Sequence, residues 1–223
     1  MTKDSIAKDG SIEDRLTGVV GYLLPLAASA PGYPLWIGLM IIPFAAYVLF
    51  IFTRPPATVP PAIYKLFVHD AAYTAVMVGG TLSLLGSIVY MHRQRGTGLI
   101  VTGPYSIVRH PQYSCMIATT LAMTVKSYVL ASLTRGPSWT SPYVMVSIWI
   151  GLLVVYVLLA AVEDIHLSHT YPDQYACYVR STSFLFPFLP RRGLVMEATA
   201  AAVVWIVILV VWIQVDIALM IVW

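Results

Sequence analysis

Long stretches without a charged residue constrain this 223-residue chain more than any other feature. No Asp, Glu, Lys or Arg occurs in four intervals, which are Leu16–Thr53, Ala71–Met91, His110–Val125 and Gly136–Val162. A bilayer-spanning helix needs about 20 apolar residues, and these intervals are of that order. A soluble protein would have to bury all four with too few polar positions left to cover them. The sequence therefore predicts an all-α, polytopic bundle of five to six membrane helices.

The composition excludes two other classes of protein. Hydrophobic residues make up 59% of the chain and charged residues 10%, which is outside the range of soluble globular domains. The net charge of +3 is small and its basic residues are scattered, so no nucleic-acid partner is expected. Cys115 and Cys177 have no metal-binding or redox spacing and are interpreted as small core residues. The amino terminus lacks the pattern of a secretory signal, so we expect a short cytosolic or interfacial tail.

The first charge-free interval is interrupted by residues 31–34, Pro-Gly-Tyr-Pro, and is predicted to be a helical hairpin. Its first arm, residues 16–30, is short for a full span, so we expect five full spans with an incomplete first arm. Whether residues 16–30 cross the bilayer stays open. The whole chain is interpreted as one integral membrane domain, divided into residues 1–70, 71–192 and 193–223. In the next span, Gly79, Ser83 and Ser87 form a stripe that predicts close approach of another helix.

Two polar segments interrupt the apolar pattern, residues 96–113 and 163–192. Arg109 and His110 immediately precede Pro111, a residue favoured in the first turn of a helix. Free amide groups and the positive end of the helix dipole would then face the same ligand as these two side chains, which predicts an anion site. The distribution of Lys and Arg favours a cytosolic position for both segments if the first arm does not cross the membrane.

Each candidate side chain in these segments also has an ordinary structural interpretation. Glu163 is either a functional intramembrane acid or an interfacial carboxylate at the end of a span. His110 and Arg109 suit a position facing lipid headgroups, and the nearby tyrosines suit an aromatic belt. Glu163, His166 and His169 recur every three residues, as in half of a di-iron carboxylate site. The chain has no second Glu-x-x-His, so no metal site is expected.

The motifs as a set resemble the isoprenylcysteine carboxyl methyltransferases. They are Gly103-Pro104-Tyr105, Val108-Arg109-His110-Pro111 and Tyr113, then Glu163-Asp164, Leu167, Tyr175, Tyr178 and Pro187. The resemblance covers roughly residues 97–187 and extends to phospholipid and methanethiol methyltransferases. It implies a membrane-embedded enzyme without a Rossmann domain, which transfers a methyl group from S-adenosyl-L-methionine to a lipophilic acceptor that enters from the bilayer. The active site is then expected on the cytosolic face.

The resemblance also assigns roles to individual residues. Glu163 and Arg180 are the expected catalytic residues, and Leu159 and Arg180 the expected substrate contacts. The expected cofactor contacts are Thr97, Gly98, Leu99, Ile100, Gly103, Tyr105, His110, Pro111, Gln112, Tyr113 and Glu163. In this scheme His110 binds the cofactor's carboxylate, Glu163 its ammonium group, and aromatic rings surround its adenine and sulfonium.

The chain departs from the prenylcysteine pattern at the substrate. Leu159 stands where that branch has an arginine for the substrate's carboxylate, and the basic run after the paired tyrosines is reduced to Arg180. A lipid amine or a small lipophilic thiol therefore remains an alternative acceptor. A second alternative, from another functional class, is a non-catalytic membrane module that binds a lipid or a protein. The oligomeric state is left open.

Overall fold

The computed structural model describes residues 32–52, 70–94, 98–133, 141–189 and 193–222. Within these ranges the chain forms six α-helices and one 3₁₀ turn, Gly103–Ser106. The helices are α1 (Gly32–Phe52), α2 (Ala71–Arg93), α3 (Pro111–Leu133), α4 (Pro142–Thr170), α5 (Pro172–Ser181) and α6 (Leu194–Val222). The only β-type pairing among the described residues is an isolated parallel bridge between Val108 and Ser183. The all-helical prediction is confirmed, whereas residues 16–30 lie outside the described residues.

Three helices are long and apolar enough to cross a membrane: Ala71–Arg93, Pro142–Thr170 and residues 194–219 of α6. In α1 the apolar stretch is shorter, Gly38–Ile51. The length and composition of these helices confirm the prediction of several helices able to span a membrane. The number of spans stays a prediction. The division of the chain into three segments also stays a prediction.

Helix α3 lies at the centre of the bundle and contacts α1, α2, α4 and α6. Its buried positions include three threonines, Thr119, Thr120 and Thr124. A helix surrounded by other helices can contain such residues because they do not face lipid, and the hydroxyls of Thr120 and Thr124 donate to backbone carbonyls of the same helix. Thr120 Oγ1 accepts a hydrogen bond from Trp149 Nε1 of α4 at 3.2 Å, and Thr124 shares a hydrogen bond with Tyr47 of α1.

Helix α2 closely approaches α3 at Gly80, which is adjacent to the predicted position, Gly79. A Cβ atom added to Gly80 would lie 2.5 Å from Thr119 Oγ1, whereas one added to Gly79 would meet nothing within 4 Å. Ser83 is exposed, and Ser87 is buried. The predicted stripe is thus wrong for Gly79 and Ser83. The buried face follows Gly80, Leu84 and Ser87, a spacing of four and then three residues that tracks one side of a 3.6-residue helix.

The helices bring polar residues together at two ends of the bundle. We call the end that contains residues 98–110 and 171–189 the loop end, and the other the opposite end. Helix α2 begins at the opposite end, where Asp70 caps it by accepting from Tyr73 N at 3.0 Å, and ends beside the loop, where Tyr90 bonds to Thr102 at 2.6 Å. Helices α3 and α6 both begin at the loop end, so each can place charges at both ends.

Candidate functional site

The segment before α3 is fixed by backbone hydrogen bonds to the segment after α5. Arg109 N donates to Ser183 O at 2.9 Å, next to the bridge between Val108 and Ser183. Ser114 Oγ of α3 donates to Leu185 O at 2.6 Å. The two polar segments predicted to share one face of the membrane protein therefore contact each other directly.

Arg109 is a buried cation that joins two carboxylates from different helices. Its guanidinium donates to Glu197 of α6, and its Nη2 lies 3.5 Å from Asp164 Oδ2 of α4. The guanidinium carbon also lies 5.4 Å from the ring centroid of Phe184, within the range of a cation–π contact. Because each charge would be costly to bury alone, these groups are stable inside the protein only as a set.

His110 lies between two neighbouring carboxylates of α4. Its Nε2 is 2.6 Å from Asp164 Oδ1, and its Nδ1 is 3.3 Å from Glu163 Oε2. The second contact is within ion-pair distance but does not have hydrogen-bond geometry. The His110 side chain is 1% exposed and that of Glu163 is 28% exposed. Glu163 is therefore the member of this pair of acids that a molecule outside the protein can reach.

Burial and charge act in opposite directions on the pKa of His110. Desolvation lowers this pKa, but the charge and hydrogen bond of Asp164, followed by Glu163, outweigh it and raise the pKa to about 9. The imidazole is thus positively charged at neutral pH. Burial, together with the negative charge of Asp164, also raises the pKa of Tyr175 in α5. Tyr178 of the same helix donates to Tyr105 O at 2.6 Å and is neutral as well, because burial raises its pKa.

We define the charge network as Arg109, His110, Glu163, Asp164 and Glu197. It contains three carboxylates, one guanidinium and one imidazole. Glu163 is its accessible member, and an exposed carboxylate favours a cation beside it.

The structure places the predicted site residues in three environments. His110, Pro111, Gln112, Tyr113 and Tyr105 are buried beside the charge network or against its helices. Leu99, Ile100 and Leu159 are half-buried, and Leu159 packs against the hydrophobic core. Gly98, Gly103 and Arg180 are exposed, and Thr97 lies outside the described residues. The roles assigned to these residues in cofactor and substrate binding stay predictions.

The sequence analysis missed a second buried ionic cluster, at the opposite end. Lys126 of α3 lies 2.7 Å from Asp216 Oδ2 of α6 and also pairs with Asp70 at the start of α2. Tyr73 contributes its ring 5.9 Å from the ammonium nitrogen. We call Lys126, Asp70 and Asp216 the opposite-end cluster. The sequence did contain a signal for this cluster. Lys126 and Asp216 lie near the ends of two apolar segments, where charged residues are expected to pair.

Among the described residues, no group of three or more His, Cys, Asp and Glu side chains could hold a metal ion. Buried atoms of the site without a hydrogen-bond partner in the described part of the chain include Arg109 Nε, His110 Nδ1 and Gln112 Oε1. S-adenosyl-L-methionine and a lipophilic acceptor stay predictions that no observation here tests.

Two curated proteins are similar to part of the chain. The nickel-cobalt-cadmium resistance protein NccN of Alcaligenes xylosoxydans xylosoxydans is 27% identical over 128 residues, which cover 55% of this chain and 53% of that protein. The cobalt-zinc-cadmium resistance protein CzcN of Cupriavidus metallidurans is 27% identical over 126 residues, 55% of this chain and 52% of that protein. The chain thus spans about half the length of the curated relatives that it matches. No protein-family model and no solved structure matches it.

These relatives correct the predicted methyltransferase identity. Both are named as metal resistance proteins, so the assignment to the isoprenylcysteine carboxyl methyltransferases and the predicted enzymatic activity are wrong. The resemblance depended on short motifs around His110 and Glu163. In the structure these side chains contact each other, and Asp164 supplies a carboxylate to His110 from within the chain. A charged motif that forms such an internal network does not by itself identify a reaction.

Proposed function

We propose that the chain is an integral membrane protein that contributes to tolerance of divalent transition-metal ions such as nickel, cobalt, zinc and cadmium. The observation that carries this proposal is the similarity to two relatives, both named as resistance proteins for such metals. The identity is 27% and the match covers about half of each protein, so the individual metals and any partner protein are part of the proposal.

The electrostatics of the bundle support a role with cations. Glu163 presents a partly exposed carboxylate at the loop end, and the opposite-end cluster pairs two aspartates with one lysine among the described residues. Acidic groups inside membrane domains are costly and are commonly functional. We assign the charge network as the working centre, with Glu163 as the residue that meets a cation. The proposal assigns no resident metal centre to the described residues. The loop end of the bundle is proposed to face the cytosol.

Growth of a metal-sensitive bacterial strain tests this proposal. Cells that express the chain should tolerate higher concentrations of at least one of the four metals than cells with an empty vector. Glu163→Gln should remove most of this gain, because it deletes the accessible charge but keeps the side-chain shape. His169→Gln is the matched control, since His169 is an exposed residue of the same helix outside the charge network. Immunoblots of membranes establish that each variant is present in equal amount.

Two results would contradict the proposal. If wild-type chain gives no increase in tolerance to any of the four metals at verified membrane levels, the proposed function is wrong. If tolerance increases but Glu163→Gln behaves like His169→Gln, the function holds and the assignment of the charge network is wrong.

A further inference from the structure

Phe188 has an unusual conformation in the segment between α5 and α6. It is 97% exposed, and its φ of 68° makes it the only non-glycine residue with positive φ among the described residues. A bulky side chain in the left-handed region is strained, and an exposed benzyl group is unfavourable in water. Both costs are present at one residue. The described residues leave this ring uncovered, so an environment outside them must compensate for its exposure.

The residues around Phe188 are held in place. Phe184 and Leu185 are fully buried, Leu185 O accepts from Ser114, and Ser183 Oγ donates to Leu189 O at 3.4 Å. Phe188 is therefore presented outward by an anchored segment that covers the charge network, since Phe184 contacts both Arg109 and His110.

A second exposed apolar residue lies in the adjoining segment. Ile107 is 63% exposed and immediately precedes Val108, which pairs with Ser183. The bridge places the two segments side by side at the loop end. Both exposed side chains belong to the segments joined by this bridge, and we refer to Phe188 and Ile107 together as the apolar surface.

The position of this surface indicates that the lipid bilayer covers it. Helix α6 begins at Leu194, shortly after Phe188, and is one of the three helices able to span a bilayer. Met196 in its first turn is exposed, as expected for contact with lipid. Phe188 thus precedes, by a few positions along the chain, a helix whose first turn exposes an apolar side chain. Aromatic and aliphatic side chains at such a position bind at the boundary between headgroups and acyl chains.

We propose that Phe188, together with Ile107, inserts into the headgroup–acyl boundary of the leaflet that α6 enters. This insertion fixes the depth of the two segments that cover the charge network. Burial in the acyl region compensates for the exposure and strain of Phe188, because the transfer of a phenyl ring from water to an apolar medium is favourable. The proposal is independent of the proposed role in metal tolerance.

Spin labelling tests the depth of position 188. The labelled protein carries Cys115→Ala, Cys177→Ser and Phe188→Cys with a nitroxide, in vesicles of phosphatidylcholine and phosphatidylglycerol. Matched labels are introduced by Met196→Cys on the lipid side of α6 and by Gln174→Cys on an exposed position of α5. Collision with oxygen, which concentrates in the bilayer, is compared with collision with water-soluble chromium oxalate.

We expect the ratio of oxygen to chromium oxalate collisions at position 188 to be close to that at position 196 and above that at position 174. A ratio equal to that at position 174 would overturn the proposal, because Phe188 would then face water. Spin–spin broadening at position 188 that disappears on dilution with unlabelled protein would also overturn it, since a second copy would then cover the surface. A circular dichroism spectrum matching the unlabelled protein ensures that the labelled variants are folded.

Discussion

Lys126 Nζ of α3 lies 2.7 Å from Asp216 Oδ2 of α6, and at the loop end Arg109, just before the start of α3, pairs with Glu197 of α6. Arg109 and Lys126 are separated by seventeen positions, or about 25 Å if measured along a helix. Glu197 and Asp216 are separated by nineteen positions, or about 28 Å. Parallel helices with charges at matching intervals can form both pairs in only one register. We infer that the two ion pairs fix the register of α6 against the central helix.

We expect Lys126→Met to destabilise the bundle more than Asp216→Asn. The first change leaves Asp70 and Asp216 without their shared cation, and removal of one partner of a buried ion pair costs about 3–5 kcal/mol. The second change leaves Lys126 paired with Asp70. Denaturant unfolding in detergent, monitored by circular dichroism, measures both losses. Equal losses would show that Asp70 does not act as a partner.

His110 should make the protein less stable at alkaline pH. Its pKa is about 9 in the folded state and about 6.5 in an unfolded chain. Since the folded pKa is the higher one, the stabilisation is complete below about pH 6.5 and is lost as pH rises through about 9, with a magnitude on the order of 3 kcal/mol at most. Melting temperatures between pH 6 and pH 10 should therefore fall, and the fall should be smaller in His110→Gln. The same decrease in both proteins would assign the effect to other groups.

Gly80→Ala and Gly79→Ala should differ in sign or size although the positions are adjacent. The new methyl group at position 80 meets Thr119 Oγ1, which is buried between α2 and α3, and overpacking of this kind costs about 1–3 kcal/mol. At position 79 the methyl group meets nothing, and alanine favours the helix. Thermal unfolding in one detergent compares the two variants. A loss at position 79 as large as that at position 80 would contradict the observed α2–α3 interface.

Gly103→Ala should be more harmful than Gly98→Ala. Both glycines have positive φ, 62° and 90°, so alanine introduces backbone strain at either position. Only at position 103 does the added Cβ also meet a side chain, the Tyr90 ring at 2.7 Å, and the hydrogen bond between Tyr90 and Thr102 holds that ring. The additional loss of stability at position 103 measures the clash with the Tyr90 ring separately from the backbone strain. Stability measurements on both variants, with Tyr90→Ala added to the first, should show that the clash is relieved when the ring is removed.

The membrane helices could be predicted from the sequence because hydrophobicity over about 20 residues is a property of a local segment. Ala71–Arg93 coincides closely with the charge-free interval 71–91, α4 contains most of the interval 136–162, and α6 forms most of the segment 193–223. Pro111 marked the start of α3 for a similarly local reason, since its fixed φ suits a first helical turn. His110 and Glu163, which contact each other in the structure, were also marked by the sequence, because both are polar residues at the ends of apolar segments.

The partners of these residues were decided by tertiary structure. Arg109 and Glu197 are 88 positions apart, and Lys126 and Asp216 are 90 apart. No local pattern relates such positions, because the pairs exist only after α6 has packed against α3 in one register. The predicted contact of His110 with a cofactor's carboxylate stays a prediction, and the structure adds a contact of its Nε2 with Asp164 that no local pattern indicated. The sequence by itself determined which segments are apolar enough to cross a membrane, because hydrophobicity is a property of a local segment. Tertiary structure alone decided which charges compensate one another, because that depends on helix packing across the whole bundle.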